Sequence, residues 1–347
     1  MVLPDSYTSA LLLTLLSMLC WGSWANTYKL AGKWRFELYY YDYALGVLAA
    51  AVVAAFTFGS LGFDGFLFLD DLMRAGLRNM AYGLAGGVVF NLANMLLVAA
   101  ISVAGLAVAF PVGIGLALII GVVWNYAINP QGNPTLLFAG VAIVVAAIVV
   151  DAAAYRTHAL ALAKERIKAG LTRSTIPKAG WKGILLSLAS GLLMGSFYPL
   201  VELGKRGESG MGPYAIAFIF ALGVFLSTFV FNLFFMNLPV EGQPVEILDY
   251  FRGTRRQHLL GLAGGMIWAA GTISNFVAAS APRQVQVGPA ISYAMGQGAT
   301  LVSALWGLLA WKEFRGASGL VKVLLAVMLA LFAIGLGLVS VAPLYAQ

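Results

Sequence analysis

Long apolar runs separated by short polar breaks make up most of the chain. Ten of them have approximate limits of 9 to 30, 42 to 62, 79 to 101, 105 to 127, 134 to 154, 183 to 203, 212 to 236, 258 to 280, 285 to 310 and 319 to 342. About 20 helical residues cross a hydrocarbon core of about 30 Å. Lipid offers no partner for backbone N–H and C=O groups, and the runs are too long and too evenly apolar for barrel strands. The pattern predicts an all-α polytopic membrane protein with ten transmembrane helices.

The longest strongly basic break runs from Arg156 to Lys182 and divides the chain into a first five-helix unit (1–155), a basic loop (156–182) and a second five-helix unit (183–347). The loop holds Arg156, Lys164, Arg166, Lys168, Arg173, Lys178 and Lys182 against one acid, Glu165. The positive-inside rule places it in the cytoplasm of a plasma (inner) membrane protein, with both termini outside. Lys29, Lys33, Arg35, Arg252, Arg255, Arg256, Lys312 and Arg315 then fall on the loop's side. Only Arg74, Arg78, Lys205, Arg206 and Arg283 fall opposite, apart from Lys322 inside the last span. On this reading Lys29, Lys33 and Arg35 anchor the inner surface, and Trp34, Tyr39, Tyr40, Tyr41 and Tyr43 are interfacial aromatics.

Composition agrees, since 61% of the 347 residues are hydrophobic and 10% are charged, which excludes a soluble globular domain. The net charge of +7 sits mainly in membrane-surface loops and implies no nucleic-acid partner. The single cysteine, Cys20, cannot form an internal disulfide and reads as packing. The first run has no Lys or Arg before it and no small-residue cleavage pattern, so it reads as a retained helix. His158 and His258 are too separate for a metal site, and no nucleophile or nucleotide motif appears. Neither an enzyme nor a cofactor is expected.

The two halves repeat each other in order. Trp21-Gly22-Ser23-Trp24 returns as Met194-Gly195-Ser196-Phe197 at an offset of 173 residues. Gly83-Leu84-Ala85-Gly86-Gly87 returns as Gly261-Leu262-Ala263-Gly264-Gly265 at an offset of 178, and Pro111 meets Pro289 at that same offset. An odd number of spans in each half makes the units antiparallel. The expectation is two inverted five-helix repeats with a substrate site near the midplane between them.

Gly22-x-Trp24, Asp42-Tyr43, Phe56-Thr57-x-Gly59, Ala85-Gly86-Gly87, Phe231-Asn232, Pro239-Val240-x-Gly242-x-Pro244, Trp306-Gly307 and Glu313-Phe314-Arg315 together span nearly the whole chain. With the five-plus-five pattern, the sequence resembles the drug/metabolite transporter superfamily. Within it the sequence looks most like the ureide permease family, related to glucose and rhamnose porters. The resemblance implies a secondary active transporter of a small polar metabolite, such as a sugar, ureide or nucleobase, with proton-coupled uptake by alternating access. Plant members are similar to proton-coupled importers of allantoin and uracil. Some carry a Walker-like motif in the central loop, which this loop lacks. A drug or metabolite exporter of the same superfamily, or a non-transporting receptor or scaffold, are the alternatives.

Polar residues within the spans are the site candidates, because they are costly in lipid. Trp24 and Tyr28 form an i, i+4 stripe able to stack a planar ring or sugar face, with core packing equally open to it, and Asn26 joins them only if the helix unwinds. Asn26 corresponds to Pro199 in the repeat, and both first spans are expected to break locally there. Tyr198 precedes Pro199. Asn91 and Asn94 share a face, as do Trp268, Thr272 and Asn275, and as do Gln286, Tyr293 and Gln297 around Pro289. Interhelical glue and substrate contact are both open to these amides. Glu202 is a candidate for proton coupling, with a surface pair to Lys205 and Arg206 as the alternative, and its repeat mate Lys29 for gating. Asp151 reads as an interfacial ion-pair partner beside the basic loop, and Asp42 as an acid at the N-terminus of the second span.

Overall fold

The computed structural model describes residues 1–168, 181–239, 243–282, 285 and 287–345, with side chains at 106, 107, 110, 166 and 168 outside the description. Its elements are α1 (Tyr7–Ser23), α2 (Ala25–Ala31), α3 (Phe36–Phe56), α4 (Phe68–Arg74), α5 (Leu77–Ala104), α6 (Leu106–Ile128) and α7 (Pro134–Lys168) in the first half. The second half holds α8 (Trp181–Gly204), α9 (Pro213–Asn237), α10 (Arg255–Ala278), α11 (Pro289–Gly296), α12 (Ala299–Leu305) and α13 (Gly319–Val341). Among the described residues there is no strand, and nine helices are long and apolar enough to cross a membrane, with α1 and α2 counted as one.

The expected ninth span, 285 to 310, is interrupted and is not among the nine. Gly288, at a φ of 84°, precedes α11, Gln297 and Gly298 form a turn before α12, and a π-helical turn follows over Trp306–Ala310. The first span also breaks, at Trp24 between α1 and α2, where the Asn26 side-chain amide donates to the Ser23 carbonyl at 2.9 Å. The expected break at Pro199 does not occur, because α8 runs continuously through it. Proline costs one backbone bond, and tight packing on both sides holds that helix together.

Three further expectations are corrected. Helix α3 begins at Phe36, earlier than the apolar run suggested, so Tyr39, Tyr40 and Tyr43 are 0% exposed and Trp34 7%. They are core, not interfacial. Asp42 therefore lies well inside α3, where its carboxylate accepts from Tyr250 Oη at 2.6 Å and from His258 Nδ1 at 2.8 Å. Burial, and then this bond to Asp42, push the Tyr250 hydroxyl above its ordinary range and keep it a donor. Helix α7 continues to Lys168, so the first part of the expected basic loop is helical; residues 169–180 lie outside the described residues.

The repeated glycines are explained by helix contact. A Cβ on Gly265 of α10 would collide with the Tyr43 carbonyl of α3, and one on Gly46 of α3 with the Leu262 carbonyl of α10. In a second contact between the halves, a Cβ on Gly87 of α5 would collide with the Phe220 carbonyl of α9, and one on Gly223 of α9 with the Leu84 carbonyl of α5. Small residues let backbones approach where lipid supplies no hydrophobic drive for association. The remaining packing follows the same scheme: α5 and α6 pack on α8, α10 and α12 pack on α1, and α7 packs on α13.

Candidate functional site

The break at Trp24 and the interruption at Gln297–Gly298 border a cavity of about 440 Å³. Trp21, Trp24 and Tyr28 line it from α1 and α2, Phe90 and Asn94 from α5, Asp151 and Tyr155 from α7, and Met194 and Phe197 from α8. Trp268 of α10 and Gln297, Thr300 and Ser303 of the interrupted span complete the wall. Volume and aromatic lining suit a small planar molecule. Phe90 stacks on Trp268 with centroids 4.3 Å apart at 25°, and Trp21 lies 6.2 Å from Trp268 at 13°. Both are flat walls against which a heterocycle can stack.

The cavity's polar groups are few and differ in how far they are already used. Asn94 Nδ2 donates to Tyr40 Oη at 3.0 Å, Thr300 bonds the Gln297 carbonyl at 3.1 Å and Ser303 the Gly22 carbonyl at 3.0 Å. The Gln297 side chain makes no hydrogen bond among the described residues, and the residue lines the cavity at the turn between α11 and α12.

Of the residues singled out by sequence, the structure brings Trp24, Tyr28, Asn94, Trp268 and Gln297 to this cavity. The others are placed in packed interfaces. Asn26 accepts from Trp311 Nε1 at 2.6 Å. Asn91 donates to Ser227 Oγ at 2.8 Å and Thr228 Oγ1 at 3.1 Å. Asn275 is 0% exposed and accepts from Tyr198 Oη at 2.6 Å while donating to Ser17 Oγ and the Ser292 carbonyl, each at 2.9 Å. Thr272 accepts from Trp21 Nε1 at 3.0 Å, and Tyr293 Oη donates to the Met194 carbonyl at 3.2 Å. Gln286 lies outside the described residues. The physical reason is common: a buried amide or hydroxyl is satisfied by the nearest carbonyl, and helical spacing does not reveal whether a neighbouring helix stands there.

Glu202 is buried and forms an ion pair with Lys205 at 2.5 Å, away from the cavity. Lys29 pairs with Glu313 at 2.5 Å and lies 4.2 Å from the Trp311 ring centroid, joining α2 to the segment after α12. That bridge stands beside the cavity on the face to which α7 extends, since Tyr155 Oη donates to Glu313 Oε2 at 2.9 Å. Asp151 is the correction that matters most. Instead of an ion pair at the interface, it is 9% exposed, lines the cavity and forms no ion pair among the described residues. Met194 and Phe197 were legible in the sequence as the repeat mates of Trp21 and Trp24, although apolar residues gave no chemical reason to select them.

A model of the ureide permease family matches residues 39–180. The chain is 26% identical to "Ureide permease 2" of Arabidopsis thaliana over 394 residues, covering 96% of each chain. It is 25% identical to "Ureide permease 1" of the same plant, covering 100% of this chain and 99% of that one. With "Probable ureide permease A3" of Vigna unguiculata it shares 22% identity over 80% of this chain and 88% of the relative. A crystal structure of another protein matches with a TM-score of 0.59 at 17% identity, over 95% of this chain and 96% of that one, a likeness of fold. By helices and by sequence, the chain is a multi-pass membrane protein similar along nearly its whole length to ureide permeases.

Proposed function

We propose that this protein is a secondary active transporter that moves a small polar metabolite of the ureide or nucleobase kind across the plasma membrane, by alternating access and with proton-coupled uptake. The observation that carries the reading is where the cavity lies in the repeat. Trp21 and Met194, Trp24 and Phe197, and Phe90 and Trp268 are pairs related by the sequence offsets, and all six residues line it. A cavity walled by equivalent residues of two halves is what an inverted repeat needs, because exchanging the halves' conformations moves the opening from one face to the other. The paired glycine contacts of α3 with α10 and of α9 with α5 support the same symmetry. The names of the similar plant proteins support the cargo class.

In this reading the Lys29–Glu313 bridge and the buried Glu202–Lys205 pair are the gates of the two faces. The five-plus-five organisation fits the drug/metabolite transporter superfamily. The test is uptake of labelled allantoin, uracil and glucose into proteoliposomes, with and without an imposed pH gradient. Accumulation of allantoin or uracil that depends on an inward proton gradient is expected. Movement only outward would favour an exporter, and no movement of any small polar cargo a receptor or scaffold.

Orientation has its own test. The basic residues of 156–182 and of the neighbouring loops lead to the expectation that tags at both termini are accessible from outside and a tag in 156–182 only from the cytoplasm. Impermeant-reagent labelling of intact cells reads it, and reversed accessibility of the central tag would overturn it.

A further inference from the structure

Four acids are buried among the described residues: Asp42, Asp71, Asp151 and Glu202. Three are committed. Asp42 is bonded to His258 and Tyr250, Asp71 to Arg74 and the Gly212 amide, and Glu202 to Lys205. Asp151 differs, because among the described residues it forms no ion pair, its Oδ1 has no hydrogen-bond partner, and the residue lines the cavity, whereas Glu202, whose Oε1 also lacks a hydrogen bond, has Lys205 as its counter-charge. Among the described residues no Lys, Arg or His lines that cavity, and its other titratable side chains are Tyr28 and Tyr155. Of the helices packed on α7, α6 carries only Tyr126 as a titratable group and α13 only the exposed Lys322.

An ionised carboxylate without a cation or donor in apolar surroundings is costly, whereas the neutral acid fits. Asp151 must therefore gain a proton when the cavity is empty and dry, and can release it when water or a cargo N–H supplies a donor. The route outward is also built. Tyr155 lies one helical turn from Asp151 on the same wall, its hydroxyl donates to Glu313, and Glu313 meets Lys29. The side chains of Lys29 and Glu313 are 45% and 34% exposed, so the chain of groups reaches solvent. His158 touches the same point through the Glu313 carbonyl at 3.0 Å.

We propose that Asp151 is the group that binds and releases the coupled proton, and that Tyr155 and Glu313 connect it to the face to which α7 extends. The step is addition of one proton to a carboxylate oxygen and its later loss, with no other bond changed. It rests on the proton-coupled reading above and replaces Glu202 as the residue that carries it.

Two measurements test it. The first uses purified unmodified protein and N,N′-dicyclohexylcarbodiimide, an apolar reagent that labels protonated carboxyls in apolar surroundings. Mass spectrometry should find Asp151 labelled near neutral pH and Glu202 unlabelled; an unlabelled Asp151 across the range pH 5 to 8 overturns the proposal without using any cargo. The second uses proteoliposomes and allantoin. Asp151→Asn should retain measurable exchange of labelled for unlabelled allantoin and lose at least about tenfold of gradient-driven accumulation. Tyr155→Phe should slow accumulation more than it slows exchange. Gradient-driven accumulation by Asp151→Asn equal to the unmodified protein overturns the proposal. Failure of the unmodified protein to exchange any cargo, with Asp151 labelled, overturns the transport reading instead.

Discussion

Replacing Gly265 with alanine is expected to remove most of the folded protein from the membrane. A Cβ at that position meets the Tyr43 carbonyl of α3, and backbone cannot rotate away as a flexible side chain can. The helices must separate, which also loosens the neighbouring contact of Gly46 with Leu262. Inserting even one methyl into a packed interface costs about 1 to 3 kcal/mol, and a contact with backbone lies at or above the upper end. The repeat sharpens the expectation. Gly87→Ala meets the Phe220 carbonyl in the equivalent place, so its loss should match that of Gly265→Ala. Gly115→Ala is the control, since nothing lies within 4 Å of a Cβ there. Melting temperature and monodisperse yield in detergent measure all three. A Gly265→Ala protein as stable as the Gly115→Ala control would mean that the two halves do not rely on these close contacts.

The second large effect separates three amides that the sequence treats alike. Asn275→Ala removes the acceptor of Tyr198 Oη and the donor to Ser17 and Ser292 in one step, at a site with no exposed surface. Each buried group left unpaired costs about 1 to 3 kcal/mol, so loss of folded protein is the expected outcome. Gln297→Ala and Asn94→Ala remove groups from the cavity wall. Gln297 has no hydrogen bond to lose among the described residues, so its variant should fold normally and bind allantoin about tenfold more weakly, the equivalent of about 1.4 kcal/mol. Asn94→Ala should weaken binding similarly, with some loss of stability from the Tyr40 bond. Thermal melting read beside equilibrium binding distinguishes the two classes. Normal folding with weakened binding in Asn275→Ala would return that residue to the site.

Much of the architecture was legible along the chain. Nine expected spans appear as continuous or once-broken helices, because the need to satisfy backbone groups in lipid leaves little freedom of secondary structure. The Gly-rich repeats were legible as repeats. Their meaning was not, since which carbonyl a glycine admits is decided by the partner helix. The start of α3 was misplaced because Tyr39, Tyr40 and Tyr43 read equally well as an aromatic belt and as core, and only their burial against α10 distinguishes the two.

The sequence by itself determined the class of protein and most of the approximate helix ends, because hydropathy is a property of the chain. Tertiary structure decided the site. Helical spacing put Asn91, Asn94 and Asn275 forward on equal terms, yet Asn91 and Asn275 face neighbouring carbonyls and hydroxyls while Asn94 lines the cavity. Glu202 and Asp151 likewise differ in their surroundings, because Lys205 one turn away pairs with the former, whereas the latter lines a cavity that holds no cation side chain among the described residues. A carboxyl's chemistry is set by what surrounds it in space, and adjacency along the chain fixes that only within one helical turn.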